Sequence, residues 1–259
     1  MGKLSRLAAG ALVRLGEVSL LGLRAFRAAP KRPLEIRSFL REAYDQGYRA
    51  LGLMVLMSGF AGLVLSFQFG ESLVRFGARQ YIGQLTSLAL LREMMPVLTA
   101  LVLGGRIVAG IAAEVGSMAA TEQVDAVRAL GADPVKKLVM PRVLAATVTL
   151  PVLTVLGDLI GTFAGMVVAR FEFGLPMRFY LTGVREFLLV SDFTSGLAKS
   201  AVFGLTGSVI ACDAGLRSQG GTYGVGRATT SAVVASSLVV IVADYLMTRM
   251  FFPTEDIVR

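Results

Sequence analysis

Apolar positions along this chain fall into five long blocks, and most of the charged positions gather between them. Ala50 to Phe67 runs eighteen residues without a charge, and Ala228 to Ala243 runs sixteen before continuing past Asp244 to about Phe251. Three less clean blocks lie between these two. One covers about Leu88 to Ala112 and holds Arg92, Glu93 and Arg106. The next covers about Leu138 to Ala169 and holds Pro141, Pro151 and Asp158. The last covers about Phe193 to Ala214, with Lys199 near its start. Runs of this length match the ~30 Å hydrocarbon core of a bilayer. The pattern predicts an all-α integral membrane protein with about five transmembrane helices over 50–259.

Ahead of the first block, residues 1–49 show a different rhythm. On a helical wheel Lys3, Arg6, Arg14, Glu17 and Arg24 fall within about 80° of one another, with Leu4, Leu7, Ala11, Leu15 and Val18 on the other side. This predicts an amphipathic helix lying in the membrane interface; a helix packed on protein is the alternative. The charges at 14, 17 and 24 break any signal-peptide core of ordinary length. The stretch "APKRP" then interrupts the chain, and a second basic amphipathic piece reaches Arg49.

Between the second and third blocks, "EVGSMAATEQVDAVRALGADP" (Glu114 to Pro134) carries four acidic residues and one Arg. Val124, Val127 and Leu130 recur at helical spacing, Thr121 is placed to cap a helix start, and Glu122 and Asp125 suit its first turns. Gly131 and Pro134 read as its stop. A short polar helix over about 114–131 with a small apolar edge suits a groove on another protein. An ordinary loop helix lying on the membrane fits the same residues.

Composition narrows the chemistry. The chain is 54% apolar and 17% charged, with a mean hydropathy of +0.68. It has no histidine, which removes the commonest general base and metal ligand. Its one cysteine, Cys212, excludes an intrachain disulfide and a thiolate metal site. The net charge of +8 fits loops facing anionic lipid better than nucleic acid. Ten Lys and Arg lie in residues 1–49 against two, Arg75 and Arg79, in the loop 68–87. The N-terminus is therefore expected in the cytoplasm, which puts the 114–131 helix inside and the C-terminus outside. Arg170, Arg178 and Arg185 weaken the bias in the third loop.

Ionisable residues within the blocks are the functional suspects. Arg92 and Glu93 fall near the outer end of the second block, either facing a water-filled cavity or snorkelling to the headgroups. Asp158 and Asp244 could in principle form an intramembrane aspartyl protease dyad; helix–helix hydrogen bonding is the plainer account. Gly157, Gly161 and Gly165 repeat at four-residue spacing, as in close helix seams within or between protomers. "GGTYGVG" (Gly220 to Gly226) follows no strand and reads as a flexible turn. With no G-x-x-x-x-G-K-[ST] motif, the chain carries no nucleotide site of that kind.

The run "LALLREMMPVLTALVLGGRIVAGIAAEVGSMAATEQVDAVRALGADPVKKLVMPRVLA" (Leu88 to Ala145) and the later "GVGRATTSAVV" closely resemble the MlaE-type permease family. The resemblance implies the permease subunit of an ABC transporter that moves phospholipid or a related lipid between the inner and outer membranes. It implies a homodimer, a cytoplasmic ABC ATPase dimer that holds the ATP and Mg, a periplasmic MCE-domain ring, and in some systems a STAS-domain protein. Glu114, Gly116, Met118, Thr121, Glu122 and Gln123 match the family's ATPase-coupling motif, with Asp125 beside them. Arg92 and Glu93 match its "L-R-E" at the mouth of the lipid cavity. A stand-alone secondary transporter is the competing class.

Overall fold

The computed structural model describes residues 13, 16–27 and 35–252. Every regular element there is helical, and no strand occurs among the described residues. Helix α1 covers 16–27 and α2 covers Ile36–Tyr48. The expected polar-face residues Lys3, Arg6 and Arg14, the apolar Leu4, Leu7, Ala11 and Leu15, and the C-terminal tail lie outside the described residues. Among the described residues, five helical stretches are long and apolar enough to cross a membrane: Leu51–Arg75, Arg79–Ala120, Val135–Phe171, Val190–Leu216 and Gly221–Phe251. They are the five apolar blocks of the sequence. Each is longer than its apolar run, because the helix continues into the polar flanks.

The second span is a composite. A 3-10 turn (Arg79–Tyr81) leads into α4 (Ile82–Ala89), then a π turn (Leu90–Met94), α5 (Met95–Leu98), a second π turn (Thr99–Gly104) and α6 (Gly105–Ala120). The first span is the single helix α3 (Leu51–Arg75). After α7 (Gln123–Ala129) a π turn (Val135–Val139) opens α8 (Met140–Phe171). Helix α9 (Met177–Phe187) separates spans three and four; α10 (Val190–Leu216) and α11 (Gly221–Phe251) form spans four and five.

Two expectations need correction. The helix placed over 114–131 is broken: α6 runs on through Glu114, Gly116 and Met118 to Ala120. Thr121 closes α6 rather than capping a new start, its Oγ1 donating back to the Ser117 carbonyl at 2.8 Å. Glu122 then takes φ 60°, the left-handed region, and only Gln123–Ala129 follow as α7. The stop is as the sequence indicated, with Gly131 at φ 74°. "GGTYGVG" is also mostly helix. Gly220 and Gly221 alone take positive φ, and α11 begins at Gly221, because the two glycines suffice to turn the chain.

The chain divides into two compact units. In the unit built from 47–103, 148–203 and 240–259, the Gly157–Gly161–Gly165 row of α8 lies against α3. A side chain added at Gly62 would press on the Gly161 backbone (2.6 Å to its carbonyl carbon), and Ser66 Oγ donates to the Gly165 carbonyl at 2.8 Å. Met54, Ser58, Gly62 and Ser66 thus form the facing row, at the same four-residue spacing. Helix α9 is fixed to α4 and α8 by Tyr180, fully buried among Ile82, Met166, Ala169 and Leu175. Burial pushes its phenol up to about 12, although Ser87 and Thr86 beside it act the other way.

In the unit built from 1–46, 104–147 and 204–239, α10 packs on α6 and α8. A Cβ on Gly215 would sit 2.8 Å from Val115 Cβ, and one on Gly204 would sit 3.0 Å from the Ala146 carbonyl carbon. Helix α1 rests on α10 through Gly22 against Val209, while Glu17 pairs with Arg217 at 2.9 Å. Leu20, Leu23 and Phe26 stay exposed, so α1 is at once packed on protein and apolar on its free side.

Candidate functional site

Two groups of the candidate residues are assembled by the fold, one in each unit. The first centres on the π turn Leu90–Met94. A π turn holds more residues per turn than an α helix, so neighbours leave the 3.6-residue register and aim at surfaces an α helix would not offer them. Arg92 and Glu93, adjacent in sequence, consequently reach different partners. Arg92 meets Asp192, with Nε at 2.7 Å and Nη2 at 2.6 Å from Oδ1, and its guanidinium lies 4.2 Å from the centroid of the Phe252 ring. Glu93 Oε2 lies 2.7 Å from Lys199 Nζ, and its Oε1 accepts from Thr248 Oγ1 at 3.0 Å.

Helix α10 brings Asp192 and Lys199 to this place on one face, with Gly196 between them at spacings of four and three. A Cβ at Gly196 would lie 3.3 Å from Pro96 Cγ, so glycine permits the close approach. Asp192 Oδ2 also accepts the Leu189 N–H at 3.0 Å, which fixes the start of α10. Lys199 is 0% exposed, yet every direction open to its ammonium is occupied: Glu93, Asp244 Oδ1 at 3.0 Å, Thr248 Oγ1 at 2.7 Å, and the Arg92 carbonyl at 3.1 Å. That last bond has a covalent reason. Pro96, four residues on, has no N–H to return to Arg92 in the α pattern, and Lys199 supplies the missing donor. A buried ammonium is tolerated only with this degree of satisfaction.

Arg92 and Glu93 were legible in the sequence; Asp192, Thr248 and Phe252 were not. Lys199 and Asp244 were visible as charges inside apolar blocks, without their partners. The available signal was the i, i+4 pair Asp244 and Thr248 on α11, together with the proline following "REMM". Asp244 is bound to Lys199 and so is not half of a carboxyl dyad. Asp158 sits buried with no hydrogen bond to Oδ1.

The second group lies around the end of α6. Glu114, Met118 and Gln123 line an open depression of about 420 Å³ together with Ala113 and Ser117. Thr121, Glu122 and Asp125 are exposed on α7 and the joint before it, with Asp125 paired to Arg128 at 2.9 Å. Gly116 faces inward instead. Its carbonyl accepts from Ser218 Oγ at 3.0 Å, and a Cβ there would meet Val225 at 3.4 Å. Val124 is buried and Leu130 exposed, so the expected apolar edge of α7 is split between protein and solvent.

Behind this surface Arg142, nearly buried, joins Glu114 at 3.2 Å and Glu42 of α2 at 3.3 Å, and donates to the Leu138 carbonyl at 2.8 Å. One guanidinium thereby ties α2, α6 and α8. Burial raises the Glu42 carboxyl above its ordinary value against the pull of Arg142, and the nearby Glu114 and Asp45 add to the rise. The folded state then binds the Glu42 proton more tightly than the unfolded chain. This contribution to stability is complete below the ordinary carboxylate range and is lost as pH rises through the elevated value. Thermal unfolding across pH 4–8 is expected to show wild type gaining on Glu42→Gln upon acidification; parallel curves would refute it.

A family model described as "Permease MlaE" matches residues 39–250. The chain is similar to a probable ABC transporter permease protein of Rickettsia prowazekii, 41% identical over 238 residues that make up 92% of each chain. A probable ABC transporter permease protein of Synechocystis is 37% identical over 216 residues, 83% of this chain and 82% of that one. The chloroplastic protein trigalactosyldiacylglycerol 1 of Arabidopsis thaliana is 36% identical over 222 residues, 86% of this chain and 63% of that one.

Proposed function

The chain belongs to the MlaE permease family, and from that premise we propose that it is the membrane subunit of an ABC transporter moving phospholipid, or a related lipid, between inner and outer membranes. As a multi-pass membrane permease it is not an enzyme, and ATP hydrolysis falls to a separate ATPase subunit. In this reading the protein sits in a bacterial inner membrane with its N-terminus in the cytoplasm, maintaining outer-membrane lipid asymmetry. It works as a homodimer between a cytoplasmic ATPase dimer and a periplasmic MCE-domain ring, in some systems with a STAS-domain protein.

The observation that carries the lipid reading is the Arg92–Glu93 pair: half-exposed charges held by fully buried partners at the ends of apolar spans. The name of the plant relative, which is that of a galactolipid, points the same way. Helix α11 exposes a broad apolar face that includes Val234, Leu238, Ile241, Val242, Tyr245 and Leu246. In this reading part of that face meets the partner protomer, with apolar faces of spans one, two and five lining a cavity for acyl chains.

The mechanism follows from the two groups of residues. Asp192 holds Arg92 by Nε and Nη2, which leaves Nη1 for a lipid phosphate and fixes the guanidinium plane for a charge-assisted contact. At the second group, the depression lined by Glu114, Met118 and Gln123 receives the ATPase. Closure of the ATPase dimer pulls on the end of α6, whose movement passes to α2 and α8 through Arg142 and collapses the cavity. No covalent bond is made or broken by this chain.

Purification of the native complex with its lipids tests the whole reading. An ATPase and phospholipid are expected with the chain, and recovery of the chain with neither would overturn it. Glu122→Gly tests the docking surface alone. Glycine takes the left-handed conformation freely, so the variant is expected to match or exceed wild-type stability by about 1 kcal/mol. It also removes an exposed carboxylate and is expected to retain less ATPase in pull-down. A stable variant with undiminished ATPase would rule out a contact through Glu122.

A further inference from the structure

The described members of the Arg92 cluster do not balance in charge. Two cations, Arg92 and Lys199, face three carboxylates, Glu93, Asp192 and Asp244. Asp192 is fully buried and spent on Arg92 and the Leu189 N–H. The surplus negative charge therefore belongs to Glu93 and Asp244, which share the single buried ammonium of Lys199. Their exposure is unequal: the Glu93 side chain is 39% exposed and that of Asp244 21%. The other exposed member is Arg92, at 31%. The most exposed charges of the cluster are thus one guanidinium and one carboxylate from adjacent residues, beside a buried interior with excess negative charge.

A phosphodiester on its own can meet Arg92, but it brings a second uncompensated negative charge to a place of low dielectric, where like charges repel strongly. A headgroup that carries a phosphate and an amine brings none. Its phosphate takes Arg92, and its ammonium takes Glu93 and offsets the surplus that Lys199 leaves. We infer that this site selects zwitterionic aminophospholipids over anionic phospholipids, with Glu93 as the residue that receives the headgroup ammonium. The inference rests on the lipid-permease reading above and adds the headgroup class to it. Glu93 then has two roles that share one carboxylate: its Oε2 holds Lys199, while its exposed lone pairs serve the ligand.

The test uses the full chain, purified into detergent and equilibrated with equal amounts of phosphatidylethanolamine and phosphatidylglycerol bearing identical acyl chains. Retained lipid is counted by mass spectrometry. Wild type is expected to retain phosphatidylethanolamine about tenfold over phosphatidylglycerol, a conservative figure for one charge contact at short range. Glu93→Gln is expected to bring the ratio close to one. Glu71→Gln, which removes an exposed carboxylate paired with Arg75 on α3, is expected to leave it unchanged. If Glu93→Gln does not fold, Asp244→Asn removes the same surplus charge and is expected to flatten the ratio likewise. An even or anionic preference in wild type overturns the inference while leaving a lipid permease intact; so does a folded Glu93→Gln with the wild-type ratio. Retention of neither lipid overturns the lipid reading itself.

Discussion

Replacing Lys199 with methionine is expected to cost the fold about 3–5 kcal/mol, the range for removing one partner of a buried ion pair. Methionine keeps an unbranched apolar stem only one atom shorter than lysine, so the change chiefly removes the ammonium. Without it, Glu93 and Asp244 face each other with no cation between them. The Arg92 carbonyl loses the donor that stands in for the N–H absent at Pro96. Thr248 Oγ1 loses a partner as well. Three segments, the π turn, α10 and α11, lose their common tie in one substitution. Detergent-purified variant should melt far below wild type by fluorescence-detected size exclusion. The triple change Lys199→Met, Glu93→Gln, Asp244→Asn should recover most of the loss, because a buried ion cluster replaced by neutral groups is often no less stable. A single variant that melts with wild type would show that Lys199 does not hold these segments together.

The second large effect is steric. Gly62→Leu is expected to abolish a folded, monodisperse protein, and Gly62→Ala to destabilise it by about 2 kcal/mol or more. The atoms in the way are the backbone of Gly161, at 2.6 Å and 2.8 Å from an added Cβ, and a helix backbone cannot step aside as a side chain can. In lipid such close approach is itself what holds helices together, since apolar burial gives little drive. Gly59, three residues earlier on α3, has nothing within 4 Å. Gly59→Ala should therefore be neutral or slightly stabilising by helix propensity. Equal melting temperatures for Gly62→Ala and Gly59→Ala would remove the α3–α8 seam from the account.

What the sequence could and could not convey follows from the range of each signal. Apolar run length is a local property tied to bilayer thickness, so all five spans were readable from blocks such as Ala50 to Phe67. Small residues at four-residue spacing marked Gly157, Gly161 and Gly165 as a seam. The facing row Met54, Ser58, Gly62 and Ser66 has the same spacing, but nothing local says that the two meet. The Glu122 break was invisible because a left-handed residue is normally announced by Gly or Asn, and glutamate gives no such sign. Arg92 and Glu93 stood out as charges in an apolar block, whereas their partners lie 100 to 160 residues away. Helical periodicity assumes one register, and a π turn changes the register without leaving a pattern.

That change of register ties the length of the second span to its chemistry. Deleting a single residue between Leu90 and Met94 would let the helix return to ordinary winding, with both flanks kept in register and the residues inside the turn re-aimed by up to about 100°. Asp192 and Lys199 would then be offered the wrong side chains, although no charged residue had been changed. Point substitutions, however complete, leave the residue count alone and cannot reveal this dependence. In this segment a one-residue gap is a heavier change than most replacements of the residues around it.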